Sequence, residues 1–164
     1  FVGTFLGGGL VLNNQLVNGK TGNAGAIGSL PFYNGSTQSQ LITQSSLYLL
    51  ERKLNDAGHN GQHIYESPSH WSCDTRSIED WLSETARGLA FATQCAMSLL
   101  DLDGVIIDGA IPDDVKNALV AHTQSAMETL DMRGLAQVHI SEGLVGRKAQ
   151  SIGSANLALQ ANYY

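Results

Sequence analysis

The chain opens with Phe1-Val2-Gly3-Thr4-Phe5-Leu6-Gly7-Gly8-Gly9-Leu10-Val11-Leu12-Asn13-Asn14 and, after a second short apolar run, continues Gly22-Asn23-Ala24-Gly25-Ala26-Ile27-Gly28-Ser29-Leu30-Pro31-Phe32. Its glycines lie inside or beside strand-like apolar runs, where the absence of a side chain weakens a strand. Two readings account for them: a backbone that must be approached closely, or bulges and tight turns. Asn13-Asn14 is a pair that tolerates positive φ and predicts a two-residue hairpin turn between Leu10–Leu12 and Gln15–Val17. A loop over 19–25 and a third strand over 26–32 follow. Together these give a three-stranded antiparallel opening.

Outward from there, Tyr33 to Gln38 is polar turn material. Leu41, Leu47, Tyr48, Leu50 and Leu54 recur at helical spacing over 40–57, with Gly58 as the stop. The stretch 59–76 has no periodicity and predicts a long loop. Ser77 with Asp80 three residues on resembles a capping box. The run behind it places Trp81, Leu82, Leu89, Ala92, Ala96, Leu99 and Leu100 on one apolar face. Gly88 inside that helix predicts another backbone crossing close by.

Val105-Ile106-Ile107 has the continuous apolar character of a buried parallel strand. Pro112, Asp113 and Asp114 suit the first turn of a helix that runs toward Gly134. Ala136 to Ile140 reads as the last strand and 147–164 as a final helix, with Gly153-Ser154-Ala155 small enough to pack tightly on a sheet. Pattern alone supports an α/β domain with a mixed sheet.

At 164 residues and 43% apolar content the chain fits one domain with one core. Charged residues make up 15% and prolines number three, which argues against extended disorder. The net charge of −6, with Lys and Arg scattered, excludes DNA binding by this segment itself. Absence of a long apolar run or a basic-then-apolar leader points to a cytoplasmic protein without a membrane span. Two cysteines, Cys73 and Cys95, are too few for a disulfide framework, and Cys95 reads as a buried small hydrophobe. His59, His63, His70 and Cys73 have ligand-like spacing, but the reading adopted is a polar loop with incidental histidines and no metal.

Gly3-Thr4-x-x-Gly7-Gly8-Gly9 followed by an apolar strand resembles the second phosphate loop of the ROK family (repressors, open reading frames and kinases), usually GTGxGxG. Gly22-Asn23-Ala24-Gly25-Ala26-Ile27-Gly28-Ser29 resembles that family's sugar-contacting GxxGExGH, in the same order and at the same spacing. The resemblance implies that residues 1–164 form one ribonuclease-H-like lobe of the actin-like ATPase superfamily, the C-terminal lobe of a longer, cytoplasmic, homodimeric protein. Phe1 opens inside an expected strand, which suggests a fragment.

The resemblance also marks departures. Phe5 replaces the middle glycine of the phosphate loop and would crowd a phosphate near Gly3, Thr4 and Gly7. The glycine triplet after the buried strand is here Asp108-Gly109-Ala110. Ala26 and Ser29 stand where the family has its glutamate and histidine, and Ile42 where it has a further glutamate. No cysteine lies in 33–40, so the family's zinc cluster is missing. The catalytic carboxylate of the kinases lies upstream, and Asp108 is not assigned to that role.

The implied function is a sugar-sensing and dimerisation lobe of a ROK transcriptional regulator. Its ligand, a sugar or sugar derivative, would meet Gly22, Asn23, Ala26 and Ser29, and DNA would be bound only through a separate N-terminal domain. No catalytic residue and no cofactor are assigned. The rival is a sugar kinase, which would bring ATP and magnesium. A third reading is a scaffold that only dimerises.

Overall fold

The computed structural model describes residues 1–66, 70–71, 74–149 and 151–156, with the side chain of Asn34 left aside. Strand β1 (Leu10–Leu12) pairs antiparallel with β2 (Gln15–Val17), Leu10 opposite Val17. The turn is made by Asn13 and Asn14, both at positive φ, 51° and 61°, as the two-residue hairpin requires.

The opening departs from the three-stranded expectation. Ile27–Ser29 is a single 3-10 turn, not a strand, and β3 starts only at Pro31. Gly25, at φ 80°, turns the chain, and the Ile27 N–H donates back to the Gly25 carbonyl at 2.6 Å. Tyr33 to Gln38 is not simple turn material either. β3 (Pro31–Asn34) and β4 (Thr37–Gln40) form a second antiparallel hairpin, Pro31 opposite Gln40, around Gly35 at φ 62°. The antiparallel part is therefore two separate hairpins.

The helix expected from residue 40 begins later. Leu41–Thr43 is a 3-10 turn, Ser46 is extended, and α1 spans Leu47–Asp56. The Leu47 and Tyr48 N–H groups at its start donate to the carbonyls of Gly3 (3.0 Å) and Thr4 (3.3 Å), so the opening block caps this helix. Within the expected loop lies one helical turn, α2 (His63–Glu66). Trp71 is buried there, donating from Nε1 to the Ile64 carbonyl at 3.1 Å and meeting the Trp81 ring edge-to-face at 6.2 Å.

The 26-residue α3 (Thr75–Leu100) is the spine of the lobe. Its cap is Asp74, not Ser77: the Asp74 carboxylate accepts from the Ser77 N–H at 2.8 Å and from the Ser77 hydroxyl at 2.6 Å. Burial follows the expected face through Trp81, Leu82, Leu89 and Ala92, then stops at Met97. Leu99 is 83% exposed and Leu100 is exposed too. Gly88 does meet a close neighbour, though a side-chain one: an added Cβ would lie 2.4 Å from Ser45 Oγ and 2.6 Å from Leu41 Cδ1.

β5 (Gly104–Ile107) runs parallel to β6 (His139–Glu142), Val105 opposite Ile140, with α4 (Asp113–Met127) as the crossover. Val2 forms an isolated parallel bridge with Gly109, just past the end of β5. Its N–H donates to the Asp108 carbonyl at 2.7 Å and its carbonyl accepts from the Ala110 N–H at 3.2 Å. The expectation of a strand buried on both faces is corrected: Ile107 is in the core, while Ile106 is 70% exposed. α4 covers one face only. Pro112 sits as the cap residue of α4, and Asp113 and Asp114 occupy its first turn, where the dipole favours negative charge.

The core joins Leu41, Leu50, Leu54, Trp81 and Leu119 with Val2, Leu6 and Ile140. No helix among the described residues is long and apolar enough to cross a membrane. At the C-terminal end Gly146–Lys148 is a 3-10 turn and residues 151–156 are helical, with Gly153, Ser154 and Ala155 exposed. The rest of the expected last helix, 157–164, lies outside the described residues.

Candidate functional site

The two glycine blocks meet backbone to backbone. A Cβ built on Gly8 would lie 2.5 Å from the Gly25 carbonyl oxygen and 2.8 Å from Ile27 Cγ1. One built on Gly25 would lie 2.8 to 2.9 Å from the Gly9 backbone and 2.9 Å from the Leu10 nitrogen. Gly28 is held as closely, 2.6 Å from the Leu6 carbonyl. The close-approach reading applies to Gly8, Gly25 and Gly28, while Gly22 and Gly25, at positive φ, also meet the turn reading.

Residues 6–9 face residues 25–28, while Gly3 and Thr4 face the start of α1 and, through Val2, the end of β5. Gly22 and Asn23 are exposed on the loop ahead of the contact, Gly22 at φ 73° with open space around it. Ala26 is half-buried and Ser29 exposed. Ile42 packs beside Gly28, its Cβ 3.5 Å from the position of an added methyl there. The Phe5 ring does not enter the core; it is 62% exposed and lies against Tyr48, centroids 6.4 Å apart.

A second feature opens where Val2 brings the first block beside β5. A cleft of about 490 Å³ is lined by Gly109, Ile111, Asp113, Asp114, Lys116 and residues 144–148. Behind it stands Asp108, which is largely buried and does not cap α4. Its Oδ1 accepts from the Gly109 N–H at 2.8 Å, and its Oδ2 from the N–H groups of Val145 (3.2 Å) and Gly146 (2.9 Å). Lys116 is buried beside it. Its Nζ donates to the Gly143 carbonyl at 2.8 Å and lies 3.1 Å from Asp113 and 3.8 Å from Asp108. Gly143 leaves room for this aspartate, since an added Cβ there would be 2.4 Å from Asp108 Cβ.

Two groups escaped the sequence reading. Lys116 gives no signal in a helix whose outer face is polar. Tyr65 donates to Glu51 Oε2 at 3.1 Å while Gln62 donates to Glu51 Oε1 at 3.2 Å. Burial first, then the Glu51 carboxylate, push the Tyr65 phenol up to about 12. These residues join α1 to α2 across the stretch expected to be irregular.

Of the histidines, His63 pairs with Glu66 at 3.6 Å and His70 is exposed, while Cys73 lies outside the described residues. Among the described residues no group of three His, Cys, Asp or Glu side chains could hold a metal ion. Cys95 is only half-buried, and burial pushes its thiol up.

No protein-family model matches this sequence and no curated protein matches it. Solved structures do. The ROK family glucokinase from Streptomyces griseus, in complex with glucose and AMPPNP, superposes with a TM-score of 0.73 at 21% identity, over 97% of this chain and 59% of that one. The ROK hexokinase from Thermus thermophilus gives 0.67 at 19% identity, over 98% and 56%. A ROK family transcriptional regulator, a homolog of the E. coli MLC protein, gives 0.66 at 18% identity, over 86% and 40%. The chain thus has the fold of part of a ROK protein, and it spans about half the length of the structures it matches.

Proposed function

We propose that this chain is the carbohydrate-binding lobe of a ROK protein. The observation that carries the reading is the backbone packing of Gly8 and Gly9 on Gly25. It joins the two blocks whose order and spacing resemble the family's phosphate and sugar motifs, within a fold shared with kinases of that family. Asn23 and Ser29, both exposed, offer neutral donors and acceptors, suited to sugar hydroxyls.

Between the two forms such a protein takes, the structural neighbours favour an ATP-dependent sugar kinase, since kinases predominate among them. Such a kinase would bind ATP and magnesium. The cleft by Gly109 has a volume within the roughly 300–1,000 Å³ of small-molecule sites. Its amides do not fit a phosphate, because Asp108 already holds them. No catalytic step is assigned to any residue of this chain.

The second reading is the sensing lobe of a transcriptional regulator, and Ala26, Ser29 and Ile42 favour it. A sensor needs only different ligand affinity in two conformations, whereas a kinase must stabilise a transition state. A coupled ADP-release assay on the full-length protein, across hexoses and N-acetylhexosamines, separates the two. Turnover on any of them establishes the kinase. Sugar-induced thermal stabilisation without turnover establishes the sensor, and the absence of both turnover and stabilisation with every sugar overturns the carbohydrate-binding reading.

A further inference from the structure

We propose that Asp108 is a resident anion, built into the position where this lobe would otherwise receive a phosphate, so that the cleft beside it takes ligands without phosphate groups.

Three backbone N–H groups from two separate segments, Gly109 at the end of β5 and Val145 with Gly146 after β6, converge on one carboxylate. Val145 in the αR region and Gly146 at positive φ are successive N–H groups of the kind that make an anion-binding concavity, and the Gly109 N–H joins them on the second oxygen. A buried lysine, Lys116, stands 3.8 Å behind the same carboxylate. Without Asp108 this would be a preformed phosphate cradle of three amides and an ammonium group, behind a cleft of ligand size.

The aspartate's place is itself prepared. Gly143 has no side chain where Asp108 packs, and Gly146, at φ 54°, presents its N–H toward Oδ2. The remaining charges of the cleft give an entering phosphate little net attraction. Asp113 and Asp114 flank its mouth, Lys116 is engaged by Gly143, Asp108 and Asp113, and Arg147 and Lys148 lie on the exposed wall. The inference rests on the carbohydrate-binding reading only for the chemical class of ligand. Occupation of the three amides by Asp108 is independent of it.

The test follows the amide resonances of Gly109, Val145 and Gly146 in the intact protein carrying nitrogen-labelled glycine and valine, with inorganic phosphate and then ATP as probes. In the natural protein neither probe should move these three resonances in a saturable way. In Asp108→Gly, phosphate should move all three, with affinity gained on the order of ten-fold or more, the worth of one charge-assisted hydrogen bond. Saturable movement in the natural protein overturns the proposal, as does a folded Asp108→Gly that gains nothing. Should that variant not fold, the titration of the natural protein decides alone. Kinase turnover with the three amides unmoved counts for the proposal, because the phosphates then lie elsewhere.

Discussion

The Gly25 carbonyl oxygen lies where a side chain on Gly8 would begin, 2.5 Å from the point a Cβ there would occupy. Two segments separated by a hairpin and a loop are thereby pressed together along their main chains, and Gly25 also needs a positive φ of 80°. Gly25→Ala is expected to cost about 2–4 kcal/mol, combining left-handed strain with backbone overlap. Gly7→Ala should be near neutral, since nothing approaches within 4 Å and its φ is ordinary. Urea denaturation of the two variants makes the comparison; equal stabilities would show that the glycine junction is not closed in solution.

Gly143 and Asp108 should behave as a coupled pair. Gly143→Ala alone forces a methyl against Asp108 Cβ and is expected to cost roughly 1–3 kcal/mol. In the Asp108→Gly background the three nearest atoms are gone, so the cost should fall by about 0.5–3 kcal/mol, the range of coupling between residues in contact. The stability cycle measures this directly, and additive costs would place the two residues apart.

Asp74 ties the acid side of the stability profile to one helix cap. Hydrogen bonds from the Ser77 hydroxyl and then the Ser77 N–H hold its carboxyl below the usual carboxylate range. A carboxyl with a lower pKa folded than unfolded contributes stability that is present above the unfolded value and is lost as pH falls through the folded one. Asp74→Ala should therefore be less stable than the natural protein at neutral pH, with the gap closing in acid. Melting temperatures across the acid range would show a constant gap if the cap were unimportant.

How much of this was legible follows from where each signal lies. Asn13-Asn14 wrote its own hairpin, and Val105 to Ile107 its parallel strand, because turn chemistry and apolar runs are local. The 3-10 turn at Ile27–Ser29 was hidden, since Ala26 to Phe32 has strand composition and the turn follows Gly25 at positive φ, packed against Gly9. The hairpin of β3 and β4 was hidden by polarity: Thr37 to Gln40 carries no apolar alternation. At the site, the glycine blocks could be read as a pair, yet which glycines touch could not. Asp108 was visible as a departure, while its three amide partners come from segments more than thirty residues apart.

Tyr65 makes the alkaline side of the profile informative. Its phenol is pushed up to about 12 by burial, then by Glu51. A raised pKa means that the neutral phenol is favoured in the fold, so this contribution is complete below the ordinary value near 10 and disappears as pH climbs toward 12. Glu51→Gln should lower the phenol's pKa without returning it to the ordinary value, because the burial remains. Tyrosinate absorbance, with Tyr65→Phe as the assignment control, tests this. An unchanged titration in Glu51→Gln would remove Glu51 as a cause.

The carbohydrate reading makes its sharpest prediction at Ala26 and Ser29. Ser29 is exposed and Ala26 half-buried beside the glycine junction, so larger polar side chains there have access to solvent. Introducing Ala26→Glu with Ser29→His supplies a carboxylate acceptor and an imidazole donor, the two groups that the resembled motif turns on sugar hydroxyls. Each charge-assisted hydrogen bond is worth about 1.5–3 kcal/mol where it forms in a desolvated site. Affinity for glucose in the full-length protein should therefore rise by ten-fold or more, a step on the order of 1.4 kcal/mol. Ile42 sets a limit on that gain, since its side chain lies beside Gly28 and offers no third hydroxyl partner. Calorimetry with glucose, and with a hexitol of equal size as control, gives the answer. If the double substitution leaves both affinities where they were while the fold is intact, residues 22–29 do not line the sugar's position, and the ligand must be sought elsewhere on the lobe.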